Sequence, residues 1–222
     1  MEKFSNIKAI LFDLDGTLFE TAHELSDAVN SMLKDLEMME LKRNEIKNFI
    51  GKGTENLIKQ SLRSSTKKDP SLFFTKAEKL FAHHYSLISA NSLMFEGVQK
   101  TISYLKSKDF LLGCVTNKPA IYTEALMNKS RLAEFMDIIV SGDTTKKKKP
   151  DPLPILHALN QLNIEPKDAI MVGDSIIDVE AGFAAGTNIF TVPYGYQFGE
   201  SIISDRVDYA MSNFNELTQI IN

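Results

Sequence analysis

The sequence predicts an α/β fold in which a central parallel sheet is interrupted, after its first strand, by an all-helical insert. Three observations carry this. Short aliphatic runs alternate with segments of helical periodicity, runs such as Ala169 to Val172 are apolar at every position, and residues 19–92 hold no strand-like run at all.

In chain order the strand-like runs are Ala9 to Phe12, Phe110 to Val115, Asp137 to Val140, Ala169 to Val172 and Asn188 to Val192. Their alternation with helices implies βαβ units and parallel pairing. Ala169-Ile170-Met171-Val172, apolar on both faces, belongs inside a sheet covered by helices on either side. In the insert, Ala22, Leu25, Val29, Met32, Leu36 and Met39 keep a three-four spacing and predict one helix. Thr21, followed three residues later by Glu24, has the signature of a capping box at its start. A second helix opens at Thr54 with Leu57, Ile58 and Leu62, and a third carries Phe73, Ala77, Leu80, Phe81 and Ile88. Met32, Met38, Met39 and the Phe residues at this spacing read as core. The chain thus divides into residues 1–18 and 93–222 for the sheet domain and 19–92 for the insert.

With 222 residues and 43% hydrophobic composition, the chain can bury one substantial core and a satellite. A formal net charge of -4 argues against a nucleic-acid or anionic-membrane surface. The lysine run Lys146 to Lys149 reads as a solvated loop. Cys114, the single cysteine, permits no intramolecular disulfide and suits a reducing cytoplasm. Met1-Glu2-Lys3-Phe4 leads into a charged segment, and no run approaches the ~18 apolar residues of a membrane span, so a soluble, unprocessed protein is expected. His23, His83, His84 and His157 lack the spacing and companions of a zinc site.

The first run ends in Phe12-Asp13-Leu14-Asp15-Gly16-Thr17. Side chains at i and i+2 of an extended segment project to one side, so Asp13 and Asp15 are expected to share a small space and repel unless a cation sits there. Magnesium, an oxygen-seeking ion that keeps several waters, suits one carboxylate, a carbonyl and a phosphate oxygen. Taken alone, Asp-x-Asp reads more readily as an acidic turn or a helix N-cap.

Three later segments change that balance: Val115-Thr116-Asn117-Lys118, Lys148-Lys149-Pro150-Asp151-Pro152, and Met171-Val172-Gly173-Asp174-Ser175 with Asp178. With Asp13-Leu14-Asp15-Gly16-Thr17 they resemble, in order, the four motifs of the haloacid dehalogenase superfamily in its phosphatase branch, over residues 8–200. The resemblance implies a Rossmann-like core and makes the insert a cap domain, hinged near Leu18 to Glu20 and Asn91 to Glu96, that closes over the catalytic groups. It makes Asp13 the nucleophile of an aspartyl-phosphate mechanism and Asp15 the acid and base for the leaving alkoxide and the attacking water. Magnesium would be held by Asp13, the Asp15 backbone carbonyl and Asp174, with Asp178 behind them. Thr116 and the Asn117 amide would cradle phosphoryl oxygens, although Thr116 also reads as a helix N-cap before Pro119. Lys149 would supply positive charge to the aspartyl-phosphate, with Lys148 the neighbouring alternative.

Phe49-Ile50-Gly51-Lys52-Gly53-Thr54 and Tyr194-Gly195-Tyr196-Gln197-Phe198-Gly199 further resemble bacterial phosphoglycolate phosphatases. Gly51, Lys52 and Gly53 would then approach a small carboxylated substrate, or else form an ordinary interhelical turn. Glu20-Thr21 stands where these relatives commonly have Asp-Ser, a conservative change. The expectation is a cytoplasmic, magnesium-dependent phosphomonoester hydrolase acting on 2-phosphoglycolate or a similar small metabolite, as a monomer or homodimer. Alternatives are a sugar phosphomutase, a pyrophosphatase or a nucleotide phosphatase of the same superfamily. A phospho-aspartate receiver or binding domain has no use for a second acid or a helical insert, and a dehalogenase needs no metal.

Overall fold

The structure, a computed structural model, describes residues 4, 6–196 and 205–221. Met1, Glu2 and Lys3, and Gln197, Phe198 and Gly199 of the second glycine-aromatic stretch, lie outside the described residues. The chain begins with β1 (Ala9–Phe12) and β2 (Phe19–Glu20), then α1 (Ala22–Asp35), α2 (Arg43–Lys47), α3 (Thr54–Ser65) and α4 (Phe74–Ile88). It returns through β3 (Leu93–Met94), α5 (Val98–Ser107), β4 (Leu111–Val115), α6 (Ala120–Lys129) and β5 (Ile138–Val140). The remainder is α7 (Leu153–Leu162), β6 (Ala169–Gly173), α8 (Ile176–Ala185), β7 (Asn188–Thr191), β8 (Tyr209–Ala210) and α9 (Leu217–Ile220).

Six strands form one parallel sheet in the order β5-β4-β1-β6-β7-β8, so all five expected strands pair as expected and the short β8 extends the edge. Being innermost, β1 is wholly buried, and its side chains alternate between two apolar layers. Ile10 and Phe12 join one cluster, which includes Val98, Ile102 and Leu217. Ala9 and Leu11 join the other, with Ile155, Leu159 and Ala181. The register pairs Phe12 with both Cys114 and Val172, so β1, β4 and β6 end at one level. Ligands of open α/β sheets gather at such carboxyl ends.

The helices between β2 and β3 pack on one another around their own cluster, centred on Met32, Leu33, Leu62, Phe81 and Tyr85. Here the structure departs from the sequence reading in three ways. First, β2 and β3 pair antiparallel, Phe19 with Met94 and Glu20 with Leu93, so the connection between sheet and insert is a two-stranded ribbon that two-residue runs were too short to announce. Second, α1 stops at Asp35 and the chain turns through Glu37 at φ 56°, leaving Met39 66% exposed and outside the core. Third, the Thr21–Glu24 capping box does not form. Thr21 adopts a helical conformation and makes no cap bond to the helix, while Glu24 accepts from the Ser92 hydroxyl at 2.9 Å. The capping box lies instead at α8, where the Ser175 and Asp178 side chains satisfy each other's backbone.

Candidate active site

Asp13 leaves β1 with its amide on the Val172 carbonyl, 2.9 Å away, which fixes it between the ends of β1 and β6. Beyond it the backbone turns sharply, the amides of Thr17, Leu18 and Phe19 all gathering on the Leu14 carbonyl. The strand ends at Phe12, so Asp13 and Asp15 lie just beyond it, and both line one small cavity, as their spacing predicts. Each of the two carboxylates meets its own lysine. Lys149 Nζ lies 2.8 Å from Asp13, and Lys118 Nζ lies 2.9 Å from Asp15.

Lys149, on the loop after β5, is buried and uses every hydrogen of its ammonium: on Asp13 at 2.8 Å, on Asp178 at 2.7 Å and on the Val115 carbonyl at 2.6 Å. Burial alone would lower its pKa, but Asp13 and Asp178 outweigh it and hold the ammonium above its ordinary value. Lys148, its neighbour, turns outward and brings its ammonium against Gly53 of the insert. Burial pushes the Asp13 carboxyl up to about 7 although Lys149 pulls it down, and the charge on Asp178 adds to the rise. Asp174, which follows β6, is raised well above the usual carboxylate range by burial and then by Asp178 and Asp13.

Asp13, Asp174 and Asp178 each present an oxygen within 4.8 Å of the others. Such a cluster of buried carboxylates is the donor set of a hard divalent cation. Asp178 is already engaged: one oxygen takes Lys149, the other the amides of Asp174 and Ser175 and the Ser175 hydroxyl. Asp13, Asp174 and Asp178 are the side chains that could hold a cation, Asp178 also bracing both the lysine and the Asp174 loop. Asp174 is closely wrapped. The Thr17 hydroxyl donates to it at 3.3 Å, the Tyr196 amide donates to its other oxygen, and Gly16, at φ +88°, leaves a gap that a Cβ would close to 2.5 Å.

Thr116 ends β4 with its amide on Val140 at 2.9 Å, and its hydroxyl accepts from the Lys118 amide at 3.2 Å. The N-cap of α6 is Pro119, so the alternative reading of Thr116 as that cap does not hold. Asn117 lines the cavity beside Thr116, and its side-chain amide has two further partners. It donates to the carbonyls of Gly51 (2.9 Å) and Lys149 (2.8 Å), tying the insert to the lysine loop. Gly51 and Gly53 reach the cavity wall, whereas Lys52 is exposed and does not. That cavity, about 30 Å³, lies between sheet and insert and is bounded by Asp13, Asp15, Thr116 and Lys118 below and by Leu25, Ile50 and Leu57 above.

Two functional neighbours escaped the sequence reading. Lys118 stands in a motif already noted but was given no task; besides Asp15 it donates to the Tyr85 hydroxyl at 2.5 Å. Burial opposes its charge, but Asp15 and then Tyr85 hold its pKa above the ordinary value. Tyr85 itself, pushed up to about 12 by burial, comes from α4 of the insert, where nothing in the spacing sets it apart from core positions.

The chain matches the family described as haloacid dehalogenase-like hydrolase over residues 10–192. It is 40% identical to a phosphoglycolate phosphatase of Nitrosospira multiformis over 97% of this chain and 96% of that one. It is 34% identical to a phosphoglycolate phosphatase of Nitrosococcus oceani, over 96% of each. Among solved structures, one described as a predicted phosphoglycolate phosphatase from Haemophilus somnus superposes with a TM-score of 0.91 at 26% identity, covering 97% of this chain and 98% of that one. CbbY from Rhodobacter sphaeroides, solved in complex with phosphate, superposes with a TM-score of 0.81 at 26% identity over 95% and 96%. With the parallel sheet and the ordered motifs at its strand ends, these likenesses establish that the chain belongs to the haloacid dehalogenase-like hydrolase family and is one of its phosphatases.

Proposed function

We propose that the chain is a magnesium-dependent phosphomonoesterase that hydrolyses 2-phosphoglycolate through an aspartyl-phosphate on Asp13. The observation that carries this reading is the Asp13 carboxylate, which lines the cavity at the end of β1 with one oxygen fixed by Lys149 and Asp174 close by. A carboxylate so oriented can attack phosphorus, dividing one difficult displacement into two. Bound between Asp13, Asp174 and the Asp15 carbonyl, magnesium would neutralise nucleophile and phosphate together. Asp15 transfers the proton to the leaving oxygen and then takes one from water. Thr116 donates its hydroxyl to a phosphoryl oxygen, and Lys149 offsets the charge that builds there.

The substrate assignment rests on relatives that carry the name phosphoglycolate phosphatase at up to 40% identity, and on Gly51 and Gly53 at the cavity wall, where bare backbone lets a small ligand approach. We take the helical insert, residues 19–92, as a cap that moves at the β2–β3 ribbon. At about 30 Å³ the cavity has room for about two waters, which suits an insert that opens to admit substrate. We place the reaction in the cytoplasm, where a single unpaired cysteine is at home; no helix among the described residues is long and apolar enough to cross a membrane.

The test is phosphate release with magnesium and with chelator, across 2-phosphoglycolate, sugar phosphates, nucleotides and pyrophosphate. Magnesium-dependent release favouring 2-phosphoglycolate is expected. Preference for another ester would move the substrate and keep the chemistry, whereas an isomeric phosphosugar in place of free phosphate would replace hydrolase by mutase.

A further inference from the structure

Tyr194 and Tyr196 stand two residues apart after β7; Tyr194 reaches both sides of the hinge ribbon, and Tyr196 holds the passage from β2 into α1. The Tyr196 hydroxyl accepts from the amides of Thr21 (2.6 Å) and Ala22 (2.9 Å) and donates to a Glu20 carboxylate oxygen (2.8 Å). It thereby supplies the first turn of α1 with the acceptor that the failed capping box left wanting. Tyr194 donates to the Thr17 carbonyl at 3.0 Å and packs its ring on Phe95, just past β3, with centroids 4.2 Å apart. Between the two tyrosines, Gly195 lies so close to Asp174 that an added Cβ would fall 2.0 Å from the aspartate's own Cβ. The Tyr196 amide donates to the Asp174 carboxylate. One short loop therefore holds both strands of the hinge at its ends and a carboxylate of the cation site at its middle.

We propose that Tyr194-Gly195-Tyr196 couples the insert to the cation site, so that divalent cation binding and closure of the insert favour each other. This rests on the proposed function in two respects: Asp174 as a cation ligand and the insert as a cap moving at the ribbon. Tyr194 and Tyr196 are positioning residues, touching neither cation nor substrate. A ligand carboxylate must sit within about 0.5 Å of its productive place, so a loop that shifts with the hinge alters affinity. Such coupling is reciprocal by thermodynamic necessity: whatever closure does for cation affinity, the cation does for closure.

The experiment is calorimetric titration of the full chain with magnesium chloride, together with hydrogen exchange at the Thr21 and Ala22 amides. In the unaltered protein magnesium binds and slows exchange at both amides. Tyr196→Phe is expected to bind magnesium about tenfold more weakly, within the usual range of coupling between sites. Its Thr21 amide, which loses the Tyr196 hydroxyl as acceptor, should exchange rapidly with or without the ion, while the Ala22 amide keeps Glu20 at 3.1 Å. A merely structural role would lower the melting temperature and leave magnesium affinity unmoved, which would overturn the coupling. Should Tyr196→Phe fail to fold, Tyr194→Phe keeps its ring on Phe95 and loses one hydrogen bond: weakened magnesium binding in it supports the proposal, and unchanged binding overturns it. Failure of the unaltered protein to bind magnesium would instead overturn the reading of the site itself, and the coupling with it.

Discussion

Lys149 joins three acceptors that would otherwise face one another or stand unpaired. Removing one partner of a buried charge pair costs about 3–5 kcal/mol, so Lys149→Met should destabilise the protein by that amount in denaturant titration. The loss should be greater at pH 8 than at pH 5, where the Asp13 carboxyl can protonate. The same Asp13 carboxyl sets a pH dependence of the metal-free protein. Asp13 is raised from 3.8 to about 7, so the folded state binds more protons than the unfolded state between those values. Stability from this source is complete below pH 4 and lost as pH rises through about 7. A metal-free melting curve should therefore fall across that window, and added magnesium should raise it by several degrees at pH 8 and by little at pH 5. Asp13, Asp174 and Lys149 were legible in the sequence because their motifs carry both residue type and order. Tyr85 and Tyr196 were not, since a buried tyrosine on a helix or loop is distinguished only by what its hydroxyl meets.

Among the elements, the parallel strands were the most legible, because a strand covered on both faces must be apolar throughout. The two-residue strands of the β2–β3 ribbon left no period to read, and the capping box was misplaced because Thr21 is held by Tyr196 from far along the chain. Gly53 shows what the insert asks of its loop: it precedes α3 at φ 85° and ψ 164°, a region closed to other residues. Gly53→Ala should cost about 1–3 kcal/mol in denaturant titration and raise KM for substrate, since its Cβ would press on Lys148 and the Asn117 carbonyl. Within the insert, Phe81→Ala removes a fully buried ring from a cluster largely separate from the sheet's. A loss of about 3–5 kcal/mol is expected, read as early exchange of the amides in α1, α3 and α4 while those of β1 and β6 remain protected.

For the whole molecule, sheet and insert divide the labour. The sheet brings Asp13, Thr116 and Asp174 to one level at its strand ends, and the insert packs over them through contacts such as Tyr85 with Lys118 and Gly51 with Asn117. This arrangement gives Asp13 its central place, and its occupation by phosphate is the claim to test. The measurement is an acid quench during steady turnover of 2-phosphoglycolate, followed by peptide mapping in the mass spectrometer. A peptide containing Asp13 that carries one phosphoryl group, formed only with magnesium and absent in an inactive, folded Asp13→Asn protein, is the predicted result. Ordinary turnover by Asp13→Asn, or a phosphoryl group on another side chain, would contradict the account.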